Sequence, residues 1–146
     1  MDLQKSLRAM GAFFFLVCLM CSVGCGGIAT YPVSGSLEFE DGEPVMFGTI
    51  EFLNRDTKLN ARGKINRDGS FSVGTFEKED GAVLGVHEVT IQQFTSLPLT
   101  ANQNVKIDHD HGKLVADKYK TYESSDLRVT IKKPNNELRL VVDSKD

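Results

Sequence analysis

Gly48-Thr49-Ile50-Glu51-Phe52-Leu53-Asn54 reads as a β-strand. Ile50 and Phe52 fall on one side and Thr49 and Glu51 on the other, which is the period of two that a pleated chain imposes. The same rhythm continues on both flanks. Upstream, Val33, Leu37 and Phe39 alternate with Ser34, Ser36, Glu38 and Glu40 before the turn pair Asp41-Gly42. Downstream, Ala61, Gly63 and Ile65 alternate with Arg62 and Lys64, and Asn66-Arg67-Asp68-Gly69 turns the chain into Ser70–Thr75 with Phe71 and Val73 inward. A charged loop, Glu77–Gly81, precedes His87–Phe94, where Val89 and Ile91 share a face with His87. Leu127, Val129 and Ile131 make a sixth strand, Pro134-Asn135-Asn136 a turn, and Leu138, Leu140 and Val142 a seventh. Short strands at this spacing predict an all-β, antiparallel two-sheet sandwich of seven strands.

One stretch breaks the rhythm. Thr95–Ser125 is long for a loop, and loops of that length are usually functional or mobile. It reads as an insertion in the sandwich, with one extra short strand or turn near Val105–Ile107. The chain of 146 residues is the size of one domain. Hydrophobic residues at 40% and charged residues at 25% exclude a disordered or fibrous chain. A net charge of -3 argues against a nucleic-acid partner held by phosphate neutralisation.

The N-terminus reads as an address. Lys5 and Arg8 precede an uncharged run, Ala9 to Val23, that is short for a membrane span and ends among Gly24, Gly26 and Gly27. Ser22-Val23-Gly24-Cys25 resembles the lipobox of bacterial lipoproteins, with Ser22 where Leu is usual. The resemblance implies cleavage after residue 24 and acylation of Cys25, palmitate included. Several acyl chains on one residue give stable anchoring. Residues 1–24 are then a lipoprotein signal peptide, residues 25–30 a lipidated tether, and residues 31–143 the folded domain. Cys18 and Cys21 leave with the signal and Cys25 is capped, so a disulfide framework, Cys-ligated zinc and thiol catalysis drop out. The chain that remains is more acidic, because the signal takes two cations and one acid, Asp2.

Several segments resemble, in order and spacing, the carboxypeptidase regulatory-like (transthyretin-like) domain of bacterial lipoproteins. They are Tyr31-Pro32-Val33-Ser34-Gly35, Asp41-Gly42-Glu43-Pro44-Val45, Gly48–Phe52, Ala61-Arg62-Gly63, Asp68-Gly69-Ser70-Phe71, Gly85–Ile91, Lys118-Tyr119-Lys120 and Ser125-Asp126-Leu127. The resemblance covers most of Tyr31 to Asp143. It implies an Ig-like, prealbumin-like β-sandwich, no catalytic residues and no cofactor. His87 stands where the family usually has Tyr, and Gln93–Gly112 matches no part of the pattern.

Asp108-His109-Asp110-His111 is the sharpest chemical motif, with N and O donors suited to Zn, Ni or Cu. In an extended segment His109 and His111 point to one side and Asp108 and Asp110 to the other, and a zinc site needs at least three protein ligands. A solvated loop tip is the simpler reading, and an envelope metal-binding protein is the alternative. His87 reads as a packed ring with no visible orienting partner for base catalysis. Ser124-Ser125 reads as a cap or turn, Glu38/Glu40 and Glu77/Glu79 as solvated faces, and Asn66–Gly69 as a hairpin turn with Lys64 where a calcium loop needs Asp. Trp is absent, which weakens a sugar site. Tyr119 and Tyr122, with Lys118 and Lys120, offer a basic-aromatic patch or, on the family comparison, a segment docked across the sandwich. The expectation is a non-catalytic binding or scaffolding module of the bacterial cell envelope. It is held to the membrane through Cys25, with a possible envelope protein partner. Gly26 lacks the Asp that retains some lipoproteins in the inner membrane, which favours the outer one. A hydrolase with its site in residues 95–125 is a third reading.

Overall fold

The computed structural model describes residues 27–93 and 112–145. Within them lie seven strands: β1 (Val33–Phe39), β2 (Gly48–Asn54), β3 (Asn60–Ile65), β4 (Ser70–Gly74), β5 (Gly85–Gln93), β6 (Arg128–Ile131) and β7 (Asn136–Val142). One 3-10 turn, Asp117–Lys120, interrupts the connection from β5 to β6. The domain is all-β, and each strand lies where the alternation places it. The inward residues Leu37, Ile50, Phe52, Phe71, Val73, Val89, Ile91, Ile131 and Val142 are all buried in one cluster. Each such side chain, fully buried, contributes about 1.5–3 kcal/mol.

The hydrogen bonds run unbroken through a single order, β6-β5-β2-β3-β4-β1-β7, and the sheet nearly closes into a barrel. The expectation of wholly antiparallel strands is corrected at one pair. β1 and β7 are parallel, in register from Val33↔Asn136 to Phe39↔Val142. The reason lies in the turn before β7. Asn136 closes it with its side chain, accepting from Lys132 N at 2.9 Å and donating to Lys132 O at 2.8 Å. Its backbone N–H meanwhile donates to Pro32 O. The chain thus leaves β6 and commits at once to the edge of β1.

Two close approaches explain why the sheet curves so tightly. A Cβ on Gly35 would sit 2.1 Å from the Leu138 carbonyl oxygen and 2.9 Å from the Phe71 ring. The bare backbone lets β1, β4 and β7 wrap over that ring, which meets Phe52 edge-on at 6.0 Å. Gly81, at φ +92°, brings the β4–β5 loop against Tyr31, where Tyr31 and Ala82 exchange both backbone hydrogen bonds.

Strand direction gives the domain two distinct ends. The first bridge at Tyr31, the β2–β3 turn, the β4–β5 loop and the β6–β7 turn share one end. The β1–β2 and β3–β4 turns, the end of β5 and the C-terminal residues share the other. There, Val115 bridges Ser144 and its N–H donates to Gln93 Oε1 at 2.9 Å. That short pairing spans part of the gap between β7 and β5.

Candidate functional site

The outward face of β2 is built around one carboxylate. Glu51 stands opposite Arg62 on β3 and Thr90 on β5. Outward was the expectation, but Glu51 is only 9% exposed. Tyr122 covers it, donating its hydroxyl to Oε2 at 3.0 Å, and Asn60 Nδ2 donates to the same oxygen at 3.0 Å. The Arg62 guanidinium pairs with Oε1. Burial pushes the Glu51 pKa up, but the Asn60 and Tyr122 hydrogen bonds and the Arg62 charge hold it below its ordinary value of 4.5. Burial, and then the bond to Glu51, raise the Tyr122 phenol. Neither proton is available near neutral pH, so the pair suits holding rather than proton transfer.

What it holds is the segment after residue 112. Tyr119 is 3% exposed and belongs to the core, with its hydroxyl 3.2 Å from Asp143 Oδ2. Tyr122 lies on the opposite, outer face, where the Arg55 guanidinium stacks 5.9 Å from its ring centre. Between them Ser125 Oγ donates to Val89 O at 2.5 Å. The two tyrosines thus straddle β5 above the point where β6 stops pairing with it. Docking, not an exposed basic-aromatic patch, is the arrangement found. Lys118 is held between Asp143 and Asp126, which raise its pKa. Tyr122→Phe should cost about 1 kcal/mol. It should also speed amide exchange across 117–127 without affecting β3 and β4, a contrast that hydrogen-exchange mass spectrometry can read.

Beside Glu51, across β3, an open groove of about 610 Å³ lies over Thr49, Lys64, Ser72 and Gly74. Its floor is shallow because Ser72 stands opposite Lys64, and Gly74 opposite Arg62. The Glu77–Glu79 loop forms its wall. Arg62 and Lys64 offer cations, and Lys64 makes no ion pair among the described residues. The groove could take a small polar or anionic group. It lacks a nucleophile and base in contact: His87, the one imidazole among the described residues, is 1% exposed on the inner face.

The other sequence-derived candidates fall as follows. His87 Nδ1–H donates to Gly85 O at 3.1 Å, and its ring meets Phe52 edge-on at 6.4 Å. Ser124 Oγ donates to Lys118 O at 2.6 Å and closes a turn. Glu38 pairs with Arg139 across the β1–β7 ladder, and Glu79 pairs with Lys78 in its loop. Asp68 Oδ1 accepts from Ser70 N at 3.0 Å and from Ser70 Oγ at 2.6 Å, which makes Asn66–Gly69 a hairpin turn. Cys25, the signal segment, Val105–Ile107 and Asp108, His109, Asp110 and His111 lie outside the described residues. Among the described residues no group of three His, Cys, Asp or Glu side chains could hold a metal, and no helix is long and apolar enough to cross a membrane. The Glu51–Tyr122 contact was missed because it joins residues 71 positions apart, and no local spacing signals it.

Compared with protein-family models, with curated proteins and with solved structures, the chain matches none.

Proposed function

We propose that this chain is a lipid-anchored lipoprotein of the bacterial cell envelope, and that its β-domain binds or scaffolds without catalysing. The supporting observation is the polarity of the domain. The first bridged residue, Tyr31, lies at one end, while Gln93 and Gly112, which bracket the Asp108–His111 connection, lie at the other. Gln93 Nε2 donates to Lys113 O at 3.1 Å, so both stems of that connection meet at the far end. With Cys25 acylated, residues 26–30 extend at most about 20 Å. The domain then sits on the bilayer with that end presented to partners. We read the curved sheet as the prealbumin-like sandwich that the sequence resemblance implies. Support comes from the inward faces of β1, β2, β5 and β7 sharing one core. Gly26 favours the outer membrane.

Metabolic labelling with a fatty-acid analogue tests the anchor. The native chain should carry label and sediment with membranes, and Cys25→Ser should lose both. Undiminished label in Cys25→Ser defeats the proposal.

A further inference from the structure

The five large apolar side chains that stand exposed among the described residues are not scattered. Ile28, Phe76, Leu84 and Val86 are 55%, 57%, 41% and 57% exposed, and all four belong to the end from which the tether leaves. Val141, at 44%, is the exception and lies towards the opposite end of β7. The four come from three separate stretches that the fold draws together. Ile28 precedes Tyr31, which is bonded to Ala82. Phe76 opens the loop that ends at Leu84, and its N–H donates to Asp80 Oδ2 at 3.2 Å. Thr30 Oγ1 donates to the same carboxylate oxygen at 3.4 Å, which ties the tether to the loop. Val86 points outward beside Thr130, two residues before Lys132.

Charges of both signs share this end. Asp80 is occupied by the loop backbone, Glu79 by Lys78, and Arg55 by Glu88. Asp56, Glu77, Glu137 and Lys58 are also here. Lys132 and Lys133 lie in the β6–β7 turn, and Lys133 Nζ lies 5.5 Å from the centre of the Tyr31 ring. An aromatic ring under a lysine, beside exposed aliphatic residues, is the composition of a membrane interface, where apolar tips enter the acyl boundary and ammonium groups reach phosphates.

We infer that this end of the domain is a lipid-contacting face, with Phe76, Leu84 and Val86 entering the bilayer surface and Lys132 and Lys133 meeting its phosphates. The occupant follows from the chain: a tether of five residues after Cys25 leaves no room for another partner of comparable size between this end and a membrane that holds Cys25. The inference rests on the lipoprotein reading. A single orientation then replaces free tumbling on the tether, and it fixes which end faces outward.

The experiment holds the domain at a bilayer whether or not cells acylate it. The chain from Cys25 onward keeps all seven strands and has Cys25 as its only thiol and no Trp. Coupling that thiol to a maleimide-headgroup lipid places it on vesicles of phosphatidylethanolamine and phosphatidylglycerol carrying a bromine-labelled acyl chain. Single reporters are introduced as Phe76→Trp, Val86→Trp and Val141→Trp, all at exposed positions and each checked for its β circular dichroism. Several-fold quenching and a blue shift at 76 and 86, with emission at 141 unchanged, is the expected result. Equal quenching at all three sites, or none at 76 and 86, overturns the inference. If one of the near reporters fails to fold, the other decides. A native chain without label in the fatty-acid experiment, or a Cys25→Ser chain that keeps it, would defeat the anchor alone, since quenching here does not depend on acylation.

Discussion

Phe52→Ala should lower the free energy of unfolding by about 3–5 kcal/mol. Phe52 has no exposed surface and stands at the centre of β2, between β3 and β5. Its ring is met edge-on by Phe71 at 6.0 Å and by His87 at 6.4 Å. Truncation removes the transfer energy of the ring and leaves a cavity walled by two other rings. Collapse is resisted because Phe71 is already closely wrapped by the backbone at Gly35. Domains are marginally stable, typically at about 5–15 kcal/mol, so the loss is a large share of the total. Urea denaturation followed by circular dichroism would show a lower midpoint with an unchanged slope. A cost under about 1 kcal/mol would mean that the ring does not occupy the core position described.

The second large effect is a dependence on acid. His87 is 1% exposed, and its pKa is lowered chiefly by burial, against a smaller upward pull from the Gly85 carbonyl. The unfolded chain takes up the proton at the ordinary value of 6.5, while the folded chain resists it. Folding is therefore favoured in full above that pH. The contribution is lost as pH falls from there towards the folded value, by at most about 1.4 kcal/mol per pH unit. Glu51, Asp117 and Asp143 act at lower pH. Their pKa values are lowered from 4.5 for Glu51 and 3.8 for the two Asp, with Asp117 at about 2 because of Lys120 and Lys145. Their contributions are present above those ordinary values and disappear below them. Between pH 6.5 and 4.5 the difference between the native chain and His87→Phe isolates the imidazole. The variant should keep its stability across that window while the native chain loses some. Parallel curves would show that His87 is solvated.

Alternation along each strand made most of this fold readable. Ile50 and Phe52, or Phe71 and Val73, declare an inward face by their spacing alone, and His87 declares its burial by sharing a face with Val89 and Ile91. What alternation does not specify is the neighbour. A strand with one apolar face can pair on either edge and in either direction, so the parallel partnership of β1 with β7 had no mark in Val33–Phe39 or Asn136–Val142. Asn136 carries part of the answer, but it reads as an ordinary turn residue until its two-way bond to Lys132 is seen. The site was less legible than the fold for the same reason. Glu51 becomes a buried carboxylate only because residues 117–125 bend round β5 and set Tyr122 over it. The open groove depends on Ser72 and Gly74 being small on a face where Arg62 and Lys64 are long.

The pairing of the first strand with the last bears on how the chain is made. β1 leaves the ribosome early, but one of its edges stays bare until residues about a hundred positions later have been synthesised, a loop closure that favours slow, late completion. A nascent chain lacking Asn136–Val142 cannot satisfy that edge, so the domain locks only after β7 has been made. The strand that opens the domain is thus the one that waits longest for its last neighbour, and closure of the whole sheet is postponed until β7 exists.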